Sequence, residues 1–266
     1  MSRVLKALAA AAGLSFAFLA ALPAHAADLL DEVQQRGALR IALEGTYPPF
    51  NFRDEQGQLT GFDVEIAEAI AGKLKVKPQF TTTEWSGILA GLQAGKYDVI
   101  VNQVAATPQR QQVFAFSAPY VVSSPQLIVR ANETRPIRTA ADLKGLTIGV
   151  GQGSNYAEQA RAIAGATVNV YPGAPEYLQD LASGRIDVAL NDSLLIPYLA
   201  QKTRLPVKAG APLGTVESNA IPFRKGSPKF KQAIDRALED LKADGTFAKI
   251  SNKWFGRDVS KPPVAQ

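Results

Sequence analysis

Apolar runs of strand length alternate along this chain with amphipathic stretches of helix length. The run ALRIAL at residues 38–43 predicts a strand. The spacing predicts a helix over 62–76, with Ile66, Ile70 and Leu74 on one face, Ala67 and Ala71 beside them, and Glu65, Glu68 and Lys73 on the wet side. Asp63 is the expected N-cap of that helix. A helix is expected over 85–94 and a short buried strand over 99–101. The alternation resumes after residue 140, with a helical turn at 141–145. Strands follow at 146–150, 168–171 and 188–190, and helices at 155–164, 175–183 and 194–203. A helical tail over 228–254 breaks near Gly245. Strand–helix alternation of this kind predicts an α/β fold with largely parallel sheets.

One segment occurs twice. LQAGKYDV at Leu92–Val99 returns as LASGRIDV at Leu181–Val188, with Leu, Gly, a basic residue, Asp and Val matching at a constant offset of 89. The match extends three residues further, to Asn102 against Asn191. Each copy reads as helix end, glycine C-cap, turn and buried strand. Such junctions resemble one another in many α/β proteins. A repeat this long nonetheless predicts two lobes of similar build rather than a solenoid. Ligands of open α/β sheets sit beyond the carboxyl ends of the strands, which puts Asn102, Gln103, Asn191 and Asp192 at two candidate site edges. Residues 117–124 and 215–222, rich in small or polar residues beside a proline, are the expected connections. The second lobe is then an insertion in the first: residues 27–121 and 219–266 form lobe 1, and 122–218 form lobe 2.

The first 26 residues depart from this pattern. Arg3 and Lys6 precede an apolar stretch from Ala7 to Leu22, no acid occurs, and the segment closes on Ala24-His25-Ala26. That is the form of a signal peptide cleaved before Ala27. No cysteine stands at the junction to carry a lipid anchor, and no basic stop-transfer cluster follows. Removing residues 1–26 leaves 240 residues and lowers the net charge from +5 to +3, since two positive and no negative groups leave.

The sequence holds no Cys, one His (His25) and one Met (Met1), so the expected mature chain has none of the three. A Cys/His zinc site, a Cys nucleophile and a Ser-His-Asp triad are thereby excluded, and neither a metal nor a cofactor is expected. A charge of +3 spread along the chain argues against nucleic acid as a partner. No second apolar run reaches the roughly 18 residues of a membrane span.

Four local groups could carry chemistry. Glu44-Gly45-Thr46-Tyr47-Pro48-Pro49-Phe50 follows a strand, and its prolines stiffen a loop that presents Tyr47 either to a site or to the core. Trp85 opens a helix, as a packing residue or as a second aromatic wall able to cover a ligand or stack on a cation. Arg110, in TPQR after a buried strand with the polar exit Asn102-Gln103, offers a planar fork of donors that fits a carboxylate. GVGQGSNY at Gly149–Tyr156 lies between a strand and a helix, where the amides near Ser154 and Asn155 could approach an anion. It is neither a dinucleotide fingerprint nor a P-loop. Asp192, at a strand end, would favour an ammonium. Together these groups describe a free α-amino acid held between two lobes.

The stretches GTYPPFNF, LTGFDVEIAEAIA, the Trp85 helix, residues 94–102, TPQRQQVFAFSAPY, DLKGLTIGVGQGSNY, GRIDVALND and DGTFAKISNKWFG resemble the periplasmic solute-binding proteins of polar amino-acid ABC transporters. The resemblance spans essentially the whole mature chain. It implies a bilobal periplasmic-binding-protein fold, with two α/β lobes joined by two crossing strands and the ligand in the cleft. It also implies that Arg110 pairs the ligand carboxylate, that Asp192 takes the α-ammonium, and that Tyr47 and Trp85 are aromatic walls. The partners it implies are a free amino acid and an ABC permease in the cytoplasmic membrane, for a periplasmic monomer. LEGTYPPF, VNQV and GSNY look most like the cystine-binding branch. One position departs from the family. Five residues before the Arg, where Ser or Thr is usual, stands Ala105, so one side-chain hydrogen bond to the ligand head is missing.

Glu44 is either a solvated loop carboxylate or, facing inward, a group for a second positive charge. In the inward case L-cystine, with two amino-acid heads, is the first expectation, basic amino acids come next and acidic ones last. The alternative is a periplasmic cyclohexadienyl or arogenate dehydratase-like enzyme on the same fold, with Glu44 or Asp192 as acid or base. The lack of His leaves few groups tuned near neutral pH and favours binding over catalysis.

Overall fold

The computed structural model describes residues 27–262. The export segment read from residues 1–26 lies outside the described residues. Two five-stranded sheets carry the fold. The first has the order Lys77–Thr82, Ala38–Leu43, Val99–Ile100, Pro222–Arg224, Phe114–Phe116. The second has the order Thr167–Tyr171, Thr147–Gly151, Val188–Asp192, Pro125–Arg130, Val207–Pro212. In each, the first three strands are parallel and the last two pairings are antiparallel. The sheets are therefore mixed rather than largely parallel. The one reversed strand in each sheet, Pro222–Arg224 or Pro125–Arg130, is the strand the chain enters from a crossing, with no helical crossover to turn it back.

The repeated segment explains why the two orders correspond. Val99–Ile100 and Val188–Asp192 are the middle strands of their sheets. Gly95 and Gly184 take left-handed φ values of 73° and 80° after their helices, a conformation open to glycine without a Cβ penalty. The repeated aspartates then do the same work. Asp98 accepts the Arg40 N–H at 2.8 Å and Asp187 accepts the Thr147 N–H at 3.0 Å, each holding the backbone of the neighbouring strand. Asp98 is fully buried and pairs with Arg36 and Arg40.

Val121–Ser123 and Glu217–Asn219 pair antiparallel as a separate two-stranded ribbon, with Val121 opposite Asn219 and Ser123 opposite Glu217. They fall inside the two connections expected from composition. The chain makes its second sheet between them and then returns to the first.

The helix expected over 62–76 runs Phe62–Lys73, capped at its C-terminus by Leu74, and Lys75 turns the chain with φ 59°. Asp63 is not its N-cap. Gly61 holds that position, with φ 126° and no room for a side chain: a Cβ there would lie 2.3 Å from the Phe50 carbonyl oxygen. Asp63 lies inside the first turn, fully buried. Phe62 stacks on Tyr120 and meets Phe247 and Phe255 edge-on. These contacts bind the helix to the C-terminal pair Pro228–Ala243 and Thr246–Phe255. Asp28 ties the ends together, accepting the Leu30 N–H as a helix cap and the Phe230 N–H, both at 3.0 Å. Among the described residues no helix is long and apolar enough to cross a membrane.

Candidate functional site

The carboxyl ends of the two middle strands face one cleft. Eight of the residues singled out in the sequence line it: Glu44, Tyr47, Trp85, Asn102, Gln103, Ser154, Asn155 and Asn191. Gly151, Tyr156, Gly173, Ala174 and Tyr177 complete the wall. The cavity is narrow, about 40 Å³, room for roughly three or four water molecules at about 10–15 Å³ each.

Several bonds hold the sides together. The Tyr47 hydroxyl donates to Asn191 Oδ1 at 2.6 Å, and Asn191 in turn donates to the Tyr177 hydroxyl. Arg110 Nη2 reaches the Gly153 carbonyl at 3.3 Å. Its Nη1 donates to the Ala105 carbonyl at 3.0 Å, and its guanidinium lies 5.4 Å from the centre of the Trp85 ring. Arg110 is 9% exposed and sits in the short helix Pro108–Val113, whose N-cap Thr107 accepts its N–H. Burial lowers its pKa from the ordinary arginine value. Its place is beside the cavity, between Trp85 and the Gly153 turn, rather than on the lining.

Asp192 also stands behind the wall, 1% exposed. Alternation along the strand gives the cleft Asn191 and turns Asp192 to the crossing strands. There it accepts from the Ser123 hydroxyl, from the Leu194 N–H at 2.8 Å, and from the Tyr156 hydroxyl at 3.4 Å. Burial raises its pKa above the ordinary carboxylate value, and these donors pull it back.

Ser154 is committed locally. Its hydroxyl accepts the Ala157 N–H at 3.0 Å as the helix cap and donates to the Gly151 carbonyl at 2.7 Å, which also takes the Ser154 N–H at 3.1 Å. It shapes the turn and has no free amide for an anion. Asn155 lines the cleft but donates its side-chain amide to Glu217 on a crossing strand, at 2.7 Å.

Glu44 faces inward. Its Oε2 accepts from Asn102 Nδ2 at 2.7 Å, while its own N–H donates to Asn102 Oδ1 at 2.9 Å. Burial, opposed by the Asn102 bond and reinforced by Glu176 and Asp63, raises its pKa to about 7. Behind it runs a buried polar chain. Asn51 donates to Asn102 Oδ1 at 2.8 Å and to Asp63 Oδ2 at 3.3 Å. Gln103 Nε2 and the Tyr120 hydroxyl donate to Asp63 Oδ1 at 2.7 and 2.8 Å. Gln103 holds φ 51°, which aims it back into this chain. Among the described residues no cluster of His, Cys, Asp and Glu could hold a metal ion.

Sequence reasoning left Tyr156, Tyr177 and Gly173 out of the site. Tyr156 was legible in principle, because it ends the GVGQGSNY turn. Tyr177 has only the signature of a core aromatic on the helix Ala174–Ala182.

Two α/β lobes, a pair of crossing strands and a narrow polar cleft between them define a bilobal periplasmic-binding-protein fold. The solved structures agree. The chain superposes with TM-score 0.79 on an ancestral arginine-binding protein bound to arginine, at 37% identity over 83% of this chain and 99% of that one. The score is again 0.79 on the ancestral amino acid-binding protein AncCDT-1, described as a precursor of cyclohexadienyl dehydratase, at 33% identity over 86% and 100% of the two chains. The chain belongs to the bacterial extracellular solute-binding proteins, family 3, whose model matches residues 39–257. Among its curated relatives, the L-cystine-binding protein TcyJ of Escherichia coli (strain K12) is 40% identical over 234 residues, 88% of each chain. The L-cystine-binding protein TcyA of Bacillus subtilis (strain 168) is 38% identical over 88% of this chain and 87% of its own. These relatives are named for binding a solute, and this chain is a substrate-binding protein rather than an enzyme.

Proposed function

We propose that the protein captures an L-amino acid outside the cytoplasmic membrane and delivers it to an ABC permease, with L-cystine as its first ligand and a basic or other polar L-amino acid as the second. The observation that carries the ligand class is Glu44. It turns into the cleft on the Asn102 bond and offers an acceptor for a second positive group beside Tyr47 and Tyr177. A cystine has such a group in its distal ammonium, and arginine and lysine have one in their side chains. The names of the cystine-binding relatives and of the arginine-bound neighbour support the same class.

In this reading Arg110 turns its fork from the Ala105 and Gly153 carbonyls to the ligand carboxylate, and Asp192 takes the α-ammonium once the cleft opens towards the crossing strands. Tyr47 and Trp85 cover the body of the ligand. Ala105 contributes no hydroxyl, which costs roughly 0.5–1.5 kcal/mol of head-group binding. Residues 27–121 with 219–266 and residues 122–218 move as the two lobes, and the ligand shifts them to the closed form by touching both. Residues 1–26 direct export to the periplasm, where the mature protein begins at Ala27 and acts as a monomer.

A thermal-shift panel of amino acids tests the ligand. A ligand at about a hundred times its Kd adds roughly 2.7 kcal/mol to stability. Stabilisation by cystine, arginine or lysine is expected. Stabilisation by glutamate or aspartate alone would overturn the role of Glu44. Mass spectrometry of the small molecule that co-purifies identifies the ligand directly.

A further inference from the structure

The buried polar chain behind the cleft closes on a residue that no sequence motif marks. Asn219 ends the crossing strand Glu217–Asn219 and is 2% exposed. Its Nδ2 lies 3.3 Å from Gln103 Oε1, 3.2 Å from Ser123 Oγ and 3.5 Å from Asp192 Oδ2. The two N–H groups of this amide thus face three acceptors: one beyond the middle strand of the first sheet, one on the opposite crossing strand, and one at the end of the middle strand of the second sheet. The Ser123 hydroxyl that accepts from Asn219 itself donates to the same Asp192 oxygen. Asn219 therefore acts on that oxygen both directly and through Ser123. Gln103 carries the chain on to Asp63. The backbone of Asn219 is fixed too, accepting the Tyr120 N–H at 3.0 Å.

Asp192 needs this support. No ion pair joins it to a cationic side chain among the described residues. The titratable groups whose charges bear on it are Glu217 on the crossing strand, Asp63 and Tyr120 in the first lobe, and Tyr47 and Tyr156 at the cleft. All are acids, so none favours its ionised form by charge. The anion rests on hydrogen-bond donors alone, and a buried carboxylate that loses a donor becomes easier to protonate.

We propose that Asn219 is a positioning residue for ligand binding: it fixes the Asp192 carboxylate in its ammonium-accepting form and ties it, through Ser123 and Gln103, to both crossing strands and the first lobe. This rests on the reading of Asp192 as the ammonium acceptor. Seating of the ligand head and seating of the crossing strands then share one hydrogen-bonded hub.

Calorimetric titration with L-cystine and with L-arginine between pH 5.5 and 8 tests the assignment in Asn219→Ala, Asn219→Ser and Asp192→Asn, with circular dichroism melts to establish folding. Asn219→Ala is expected to weaken binding about tenfold or more at pH 7, with a deficit that grows as pH falls, because losing a donor makes the Asp192 carboxylate easier to protonate. Asn219→Ser, which keeps a short donor, is expected to recover part of the affinity, and it carries the test if the alanine variant does not fold. Loss of binding in Asp192→Asn beside wild-type affinity in the Asn219 variants would overturn this proposal alone. So would a deficit that does not vary with pH. Wild-type affinity in Asp192→Asn, or no binding of either probe to the wild type, would overturn the underlying reading and this proposal with it.

Discussion

The Tyr47 hydroxyl and Asn191 Oδ1, 2.6 Å apart, join the first loop after one sheet to the strand end of the other. This bond stands at the cleft itself, beside the aromatic face that Tyr47 presents with Phe50, their ring centroids 4.7 Å apart. In the closing motion proposed above, the bond forms as the two sides meet and breaks as they part. It therefore contributes to the equilibrium between the two forms without belonging to the core of either sheet.

Tyr47→Phe keeps the ring and removes only the hydroxyl. A hydrogen bond of this kind contributes about 0.5–1.5 kcal/mol, so the closed form loses that much. Small-angle scattering of the ligand-free variant should show a larger radius of gyration than wild type. Its affinity for L-arginine should fall about two- to tenfold. A scattering profile and affinity equal to wild type would remove Tyr47 from the closure.

The paired heads are tested by Arg110→Ala and Asp192→Asn. Each leaves one charge of a bound amino acid without its partner in a closed cleft, and each should lower affinity at least about a hundredfold in calorimetry. The two differ in stability. Arg110 also satisfies the Ala105 and Gly153 carbonyls from a buried position, so its removal should lower the melting temperature by several degrees, through about 1–3 kcal/mol of unmet acceptors. Wild-type titrations of both variants would discard the head-group assignment.

The contrast between Asn191 and Asp192 shows what was legible in the sequence. The repeat that ends on Asn102 and Asn191 is local: helix end, glycine, turn and strand follow one another within about ten residues. A reader of the chain therefore finds both strand ends and both sheet centres. Which of two adjacent polar residues faces the cleft depends on the strand's register against neighbours far away in sequence, and that is not written locally. Asp63 fails for the same reason. An aspartate at the start of an amphipathic helix reads as a cap, while the Asn51, Gln103 and Tyr120 donors that claim it lie 12, 40 and 57 residues away. The strands Phe114–Phe116 and Pro222–Arg224 have three residues each, too few to show a period.

Glu44 predicts a pH dependence of ligand choice. Its pKa of about 7, against an ordinary 4.5, leaves it mostly protonated at pH 5.5 and mostly ionised at pH 8. Arginine stays cationic throughout. Its affinity should therefore rise through pH 7 and level off above, by about tenfold across the range. Asp63 titrates in the same window, so the comparison with Glu44→Gln isolates the share due to Glu44: the variant should bind arginine more weakly at pH 8 and lose most of the slope. An unchanged slope in Glu44→Gln would place the titrating group elsewhere.

Asp63 predicts how stability itself varies with pH. It is fully buried, and burial raises its pKa from 3.8 to about 7 despite three donors. Between those values the folded protein holds a proton that the unfolded chain has released. The unfolding free energy therefore falls as pH rises across that window, and it stays level above about 7. Glu44, Asp192 and Glu217 are raised as well and act with the same sign. The lowered groups Glu133 and Asp244, at about 2 against 4.5 and 3.8, act in the opposite sense. Their contribution is lost only as pH falls below about 4.5, outside the upper part of the window. No histidine occurs beyond residue 26 to titrate there. The melting temperature of the ligand-free mature protein should therefore be highest near pH 5 and decline towards pH 7. In Asp63→Asn the decline should be shallower, since the side chain keeps an acceptor for Gln103 and Tyr120 but no longer ionises. A melting temperature that climbs from pH 5 to pH 7 in the wild type, or an equally steep decline in Asp63→Asn, would show that the buried carboxylate does not set the slope.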